Sequence, residues 1–224
     1  MIDAIGELLP FAVGVALSPV PIIAVILMLG TPRARTNGPA FAIGWVLGLV
    51  VVSSIVLVVA GGADNPDSAA SAGIEWGRLL LGVLFLVLAV KQWKQRPHKG
   101  AAPVMPKWMA VIDTFRPAKS LGLGAALSGV NPKNLALAVA AAATIAQAGL
   151  DGGESAVAVA VFVVLGSITV VGPVILFVAS PARAGPPLGS IKEFMADHNA
   201  VILMVIFLVL GAKLFGSGLA RVVG

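Results

Sequence analysis

Two apolar segments of this chain, about half a chain apart, are each interrupted by a short proline-containing stretch. Residues 16–21 read ALSPVP, and residues 126–132 read ALSGVNP, which is the same pattern with one residue inserted. A helix in lipid must hydrogen-bond its own backbone, so an interruption is tolerated only where protein buries it or where it lines a cavity. Paired interruptions in corresponding halves of a chain are typical of transporters, in which they mark the substrate site. The pair therefore predicts a carrier.

The composition agrees with a chain that lies mostly in a lipid bilayer. Hydrophobic residues make up 58% of it and charged residues only 11%, whereas a soluble domain carries about 25% charged residues. The net charge of +5 does not indicate a nucleic-acid partner, because the basic residues lie beside apolar spans, as membrane topology requires. Cysteine is absent, which excludes disulfides and thiolate metal sites. The residues indicate neither a metal site nor a cofactor.

The apolar runs predict an all-α polytopic membrane protein. A helix needs roughly 20 apolar residues to cross a bilayer. Six such runs are present, at residues 8–30, 39–59, 74–93, 120–149, 155–178 and 200–214. The first residues are acidic and lead into a long apolar run, unlike a cleavable signal peptide, so we expect the first helix to be retained.

Basic residues are unequally divided between the two sides that six spans would create. The loops after the first, third and fifth spans hold Arg33, Arg35, Lys91, Lys94, Arg96, Lys99, Lys107, Arg116, Lys119, Arg183 and Lys192. The opposite side holds only Arg78, Lys213 and Arg221. The positive-inside rule makes the richer side cytoplasmic. We therefore expect a multi-pass protein of the bacterial plasma membrane with both termini extracytoplasmic.

Further sequence similarities between the two halves predict an internal duplication. Residues 85–91 (FLVLAVK) return as residues 207–213 (FLVLGAK), and the VLG at residues 46–48 returns, more weakly, at residues 164–166. A duplicated unit of three spans must insert its second copy upside down, which gives a 3+3 inverted repeat with the broken helices near its pseudo-two-fold axis. The predicted organisation is a first three-helix repeat (1–95), a basic cytoplasmic loop (96–118) and a second repeat (119–224). Residues 106–115 of the loop are expected to form a short interfacial helix.

The candidate site comprises the polar and proline residues of the two interruptions. Proline lacks an N–H and displaces the carbonyl one turn earlier, so it frees backbone polar groups at mid-membrane. We expect the translocation site to include Ser18, Pro19, Pro21, Asn131, Pro132, Lys133 and Asn134. The alternative is that the prolines are kinks that only shape a helix bundle.

Lys133 is the one charge deep in a predicted span. A lysine at the centre of a bilayer costs about 2.5–3.5 kcal/mol and is a functional hypothesis by default. It would bind an anionic headgroup or a carboxylate, or else it would pair with carbonyls freed by Pro19 and Pro21 and lock the halves together. Both roles are left open.

Two further lysines are secondary candidates. Lys91 and Lys213 end the matching segments of the third and sixth spans, and snorkelling of their long stems to the interface is the favoured explanation. Gly44 and Gly48 form a small-residue pair that predicts close helix packing. That packing would lie within one chain or between two copies in a homodimer.

The motifs resemble those of the lysine exporter superfamily. Its members pair a Pro-x-Pro in the first span with an Asn-Pro-Lys in the fourth, here at residues 19–21 and 131–133. Residues 30–48 and 106–109 are similar to one branch, the GAP/Sap (glycolipid- and sulfolipid-addressing) family. The resemblance implies export or flipping of a cell-envelope glycolipid across the plasma membrane, with both interruptions lining the pathway. Val20 stands where the amino-acid exporters commonly carry glycine, which argues against an amino-acid substrate.

The leading hypothesis is lipid export by rocking of two inverted halves, and three other functions are alternatives to it. Efflux of a small metabolite, an amino acid or an ion would use the same architecture. A membrane scaffold for envelope assembly would recruit partners through the basic loop. An enzyme is not expected, because Ser18, Ser128 and Ser167 have no membrane-embedded histidine or acid nearby in the sequence. Proton coupling through a buried acid or histidine is likewise unsupported, since His98 and His198 lie at or beyond the cytoplasmic boundary.

Overall fold

All regular structure in the residues described by the computed structural model, 1–61, 69–95 and 107–223, is helical. The all-α prediction is confirmed for these ranges. In chain order the elements are α1 (Ile2–Ala16), α2 (Pro19–Leu29), α3 (Ala34–Gly61), α4 (Ala69–Lys94), a 3-10 helix (Lys107–Thr114), α5 (Pro117–Gly129), α6 (Pro132–Gln147), α7 (Gly152–Ala179), α8 (Pro181–Asp197) and α9 (Asn199–Val223).

The protein is a multi-pass membrane protein by the length and hydropathy of its helices. Four segments are long and apolar enough to cross a bilayer, namely Ala34–Val59, Trp76–Lys94, Gly152–Ala179 and Asn199–Ala220. They match the predicted second, third, fifth and sixth spans. The pair α1–α2 qualifies as a fifth crossing if its two helices, bent by 52°, count together. The predicted fourth span is divided into α5 and α6, of 13 and 16 residues, and neither is long enough alone.

The chain is interrupted at both proline motifs. Between α1 and α2 the break falls at Leu17 and Ser18, and Pro19 then begins α2. Between α5 and α6 it falls at Val130 and Asn131. Proline suits the first position of a helix because its missing N–H would have no partner there. Each motif therefore ends one helix and starts the next.

Helices α3 and α5 cross at very short distance. A Cβ atom added at Gly44 would overlap the carbonyl oxygen of Leu121, and one added at Gly48 would overlap the hydroxyl of Ser128. From the other side, a Cβ at Gly124 would overlap the carbonyl oxygen of Phe41. The predicted small-residue pair is therefore used within the chain, where it lets two backbones touch.

Helices α4 and α9 form a second close pair, which is antiparallel. A Cβ atom at Gly211 would lie 2.9 Å from the amide nitrogen of Leu86, and one at Gly218 would lie 2.9 Å from that of Leu79. The rings of Phe85 and Phe207 meet in the same pair, with centroids 5.3 Å apart. By contrast, α4 touches the helices other than α9 only sparsely in the described part of the chain. The two helices thus act as one packing unit, called here the α4–α9 arm.

One end of the molecule, the terminal end, gathers the start of α1, the start of α4, the end of α6 and the end of α9. Arg78 Nη2 donates to Thr144 Oγ1 at 3.2 Å. Lys213 Nζ donates to the backbone oxygen of Glu7 at 2.5 Å and lies 4.7 Å from the ring centroid of Phe11. These contacts hold the arm against α1 and α6 at this end.

The opposite end, the loop end, is built from segments that were predicted as a loop with one interfacial helix. Asn37 Nδ2 donates to the backbone oxygen of Phe115 at 3.0 Å, and the 3-10 helix buries Ile112 as it packs against α2. The predicted interfacial helix is thus a 3-10 helix that docks on the bundle. Residues 96–106 of the predicted basic loop, and the side chain of Trp108, lie outside the described part.

Helix α8 was not predicted. It packs against α2 and α7 and buries Ala184 and Leu188, which lie four residues apart and therefore on one face. The sequence analysis placed this segment in the loop between the fifth and sixth spans, and it contains Pro181, Pro186 and Pro187. Because only a narrow stripe of the helix is apolar, its hydropathy signal is weak.

Candidate functional site at the two helix breaks

An open cavity of about 280 Å³ lies where α2 and α6 begin. Its lining includes six of the seven residues predicted for the site: Ser18, Pro19, Pro21, Asn131, Pro132 and Lys133. The fold therefore brings together two motifs that lie more than a hundred positions apart in the chain. The seventh residue, Asn134, is fully buried behind the cavity.

Three consecutive carbonyl groups at the end of α1 find side-chain partners. Because α1 stops at Ala16, its last carbonyls lack the donors that a continuing helix would supply. Lys133 Nζ donates to the oxygen of Gly14 at 2.7 Å, Thr169 Oγ1 donates to that of Ala16 at 2.5 Å, and Ser18 Oγ lies 2.6 Å from that of Val15. The backbone oxygens left free by the break are thus paired with side chains from α6, from α7 and from the motif itself.

Asn134 links the two breaks directly. Its Nδ2 donates to the backbone oxygen of Leu127 at 2.8 Å, near the end of α5. Its Oδ1 lies 2.9 Å from Ser18 Oγ, which is within donating distance of both Asn134 and Val15. A buried amide whose two ends are both bonded holds its neighbours in one arrangement. Asn134 is therefore a positioning residue behind the cavity wall.

Asn131 starts α6 as its N-cap residue. Its Oδ1 accepts a hydrogen bond from the backbone N–H of Lys133 at 3.1 Å, which satisfies one of the donors left over at a helix start. Capping fixes the direction in which α6 leaves the break, and hence the position of Lys133. The asparagine thus shapes the cavity as well as lining it.

The opposite wall of the cavity comes from the α4–α9 arm and is mainly apolar. Its apolar residues are Leu84, Phe85, Leu88, Leu203 and Phe207. Among the described residues that line the cavity, Lys133 is the one charged side chain, and none is acidic. The cavity therefore combines a polar, positively charged wall with an apolar one, which suits an anion that carries an apolar part.

The two secondary lysines do not join this site. Lys91 is exposed on α4 and does not line the cavity. Lys213 lies at the terminal end, where its ammonium lies over the ring of Phe11 and donates to the backbone oxygen of Glu7. Its charge is therefore held by a cation–π contact and a backbone carbonyl away from the cavity.

Three polar residues of this region were missed by the sequence analysis. Thr169 lay inside the predicted fifth span, where one hydroxyl among many apolar residues drew no attention. Gln92 and Asn199 both line the cavity, but they fell at the edges of the predicted third and sixth spans. The signal that would have found Gln92 and Asn199 is that both share a helix face with a phenylalanine of the duplicated segment.

A second, polar cavity of about 220 Å³ lies at the terminal end. Its lining includes Asp3, Glu7, Arg78, Thr144 and Gln147. Acidic and basic side chains are mixed there, so it has no single charge preference. The contact between Arg78 and Thr144 forms part of its wall.

The polar side chains form no nucleophilic or metal centre in the part of the chain that the structure describes. Ser18 and Ser128 approach backbone oxygens, whereas Ser167 is buried without a hydrogen-bond partner. None of the three is paired with a histidine or an acid of the described ranges. No group of three or more histidine, cysteine or acidic residues is placed to hold a metal ion among these described residues.

The chain belongs to the Sap, sulfolipid-1-addressing protein, family, whose family model matches residues 8–220. The resemblance to the GAP/Sap family, expected above all from residues 30–48 and 106–109, is thereby confirmed. The family description names lipid addressing and no reaction. No curated protein and no solved structure matches the chain.

Proposed function

We propose that this protein is a secondary carrier that moves an anionic cell-envelope lipid or glycolipid outward across the bacterial plasma membrane by alternating access. The observation that carries the proposal is the open cavity at the two helix breaks, with Lys133 on one wall and the apolar arm on the other. A family named for sulfolipid addressing supports a lipid as the substrate.

Contacts around the breaks support the inverted repeat. Gly48 of α3 packs on Ala125 of α5, and Gly166 of α7 packs on Val15 of α1. These two contacts are equivalent if residues 16–18 correspond to residues 126–128. Ser18 and Ser128 also reach the carbonyl three residues earlier in the same way. In this arrangement α5 and α6 together form one crossing, the fourth in chain order, and the total is six. Both termini then lie on one side, which the positive-inside rule makes extracytoplasmic.

The character of the cavity favours a lipid over a small solute. A small metabolite or amino acid would be expected in a pocket that encloses most of its surface. Here the cavity is open, and the arm lines it mainly with leucine and phenylalanine side chains. Alkyl chains could rest on that wall while the headgroup stays at the breaks. Efflux of a small metabolite, an amino acid or an ion is the alternative.

Lys133 would change partner during the cycle. In this structure its ammonium donates to the oxygen of Gly14, so its charge is partly compensated without an acid. A phosphate or sulfate group entering the cavity would make a stronger, charge-assisted bond to the same ammonium. Substrate binding would therefore weaken the hydrogen bond from Lys133 of α6 to Gly14 of α1. In this way binding would be coupled to movement of the helices.

The moving part is the α4–α9 arm rather than either half of the chain. The halves interleave, because α3 packs on α5 and α7 packs on α1, so they do not separate as rigid bodies. The arm touches α1 and α6 at the terminal end through Lys213 and Arg78 and leaves the cavity open between the helices. If the arm moved so that the cavity closed and these contacts broke, the substrate site would open toward the terminal end.

Reconstitution into vesicles with fluorescent lipids tests the proposal. Wild-type protein should speed the movement of a labelled anionic lipid between leaflets, and Lys133→Met should remove most of that activity. Lys91→Met is the matched control, because Lys91 is exposed and does not line the cavity. Equal rates for Lys133→Met and wild type would rule out the role given to the ammonium. Wild-type protein that moves no lipid, while the basic loop binds envelope-building proteins, would favour a scaffold.

A further inference from the structure

The arm presents matching residues to the cavity from its two helices. Phe85, Leu88 and Gln92 line it from α4, and Asn199, Leu203 and Phe207 line it from α9. Each set recurs every three or four residues, so each lies on one helix face. Both sets carry an aromatic residue at one end, leucine in the middle and an amide at the other end.

The two amides lie on the same side of the phenylalanine pair in the cavity. Phe85 and Phe207 are in ring contact, and the helices run antiparallel. Gln92 is seven residues beyond Phe85, and Asn199 is eight residues before Phe207, so each lies about 10–12 Å from the phenylalanine of its own helix, in the same direction. The cavity thus has a second polar region, made by the arm and separate from Lys133 on the opposite wall.

The side-chain oxygen of Asn199 has no hydrogen-bond partner among the described residues. Its Oδ1 is buried from solvent and accepts no hydrogen bond from that part of the chain. A buried acceptor left unpaired is costly and uncommon. Because the same side chain lines the cavity, a ligand that brings an O–H or N–H donor would satisfy it. Asn199 therefore points to a ligand group rather than to a packing role.

We propose that Gln92 and Asn199 form a second subsite that binds hydroxyl groups on the uncharged part of the substrate's headgroup and so determines its specificity. The proposal rests on the proposed function, because it assigns a substrate contact in the same cavity. Lys133 binds the anionic group, the leucines of the arm contact the alkyl chains, and the two amides hydrogen-bond the hydroxyl groups of the headgroup. Amides suit this task because each offers both a donor and an acceptor to a hydroxyl.

Binding of two matched lipids tests the subsite. Dioctanoyl phosphatidylinositol and dioctanoyl phosphatidylmethanol carry the same single negative charge, but only the first has a polyol headgroup. Native mass spectrometry of the detergent-solubilised protein measures both affinities. Wild-type protein should bind phosphatidylinositol about fivefold more tightly, as one or two net hydrogen bonds allow. Asn199→Leu and Gln92→Leu should each reduce this preference while leaving phosphatidylmethanol binding unchanged.

Gln95→Leu is the matched control, since Gln95 is an exposed amide at the end of α4 that does not line the cavity. It should keep the wild-type preference. No preference in the wild type, a preference that survives in both leucine variants, or no binding of either lipid would each overturn the subsite. The vesicle assay distinguishes the two proposals: preference in binding without any lipid movement would reject the carrier and retain the subsite.

Discussion

The ammonium of Lys133 donates a hydrogen bond to the backbone oxygen of Gly14, 2.7 Å away, and so ties the start of α6 to the end of α1. A lone lysine in a bilayer and an unpaired carbonyl in a bilayer are each unfavourable. Here each satisfies the other across the two halves of the chain. The proline break therefore supplies the carbonyl that the buried lysine needs as a partner, and the lysine supplies the donor that the carbonyl needs.

Thr169 should stabilise the first break by pairing the oxygen of Ala16. We expect Thr169→Val to lower the free energy of unfolding by about 0.6 kcal/mol, the average for a side-chain hydrogen bond inside a membrane protein. Equilibrium unfolding in mixed micelles measures it. Thr36→Val is the control, because that exposed hydroxyl bonds the oxygen of Arg33 and its loss should have a smaller effect. Equal effects would contradict the role of Thr169.

Pro19 and Pro21 should be required for movement rather than for stability. In Pro19→Ala/Pro21→Ala the two N–H donors return, so α1 and α2 gain the option of one continuous helix. We expect lipid movement to fall at least about tenfold while the melting temperature stays the same or rises. Pro39→Ala, inside the uninterrupted α3, should leave the rate unchanged. A double variant as active as wild type would show that the break is dispensable.

Gly44 should tolerate no side chain. In Gly44→Ala the new methyl group would overlap the backbone of Leu121, and backbone cannot move aside as a flexible side chain would. We expect a loss of about 1–3 kcal/mol in unfolding free energy. Gly122→Ala in α5 is the control, since a Cβ there meets nothing within 4 Å and alanine favours helix. Similar losses in both variants would refute the close crossing of α3 and α5.

The movement of the arm can be tested by cross-linking, because the chain has no cysteine of its own. Val20→Cys/Leu203→Cys places thiols on opposite walls of the cavity. A reducible bifunctional maleimide that joins them should stop lipid movement, and reduction should restore it. Leu79→Cys/Phe215→Cys joins the two helices of the arm at residues that do not line the cavity, so cross-linking should not change that variant's rate. Inhibition of both pairs, or of neither, would reject the arm as the moving part.

Much of the site could be predicted because its signals are local. Proline positions fix where the helices break, and an asparagine directly before proline indicates the start of α6. Glycine spacing at residues 44 and 48 indicated the close crossing. Partners from distant parts of the chain were harder, since no local pattern tells which helix will lie opposite. Thr169 was therefore missed, and the partner of Lys133 stayed one of two alternatives.

Two other elements were missed for different physical reasons. Helix α8 contains three prolines and only a narrow apolar stripe, and its stability comes from packing on α2 and α7 rather than from its own composition. Gln92 and Asn199 looked like residues of the membrane boundary, where amides are common. Only the antiparallel pairing of α4 with α9 reveals that the two face one cavity.

The interleaving of the two halves has a consequence for biosynthesis. Because α3 packs on α5 and α7 packs on α1, the helices synthesised first leave the translocon with their glycine surfaces uncovered. Those surfaces must stay in lipid until the later helices have been inserted. Final assembly should therefore be a late, post-insertion event, during which the nascent protein is most exposed to membrane proteases.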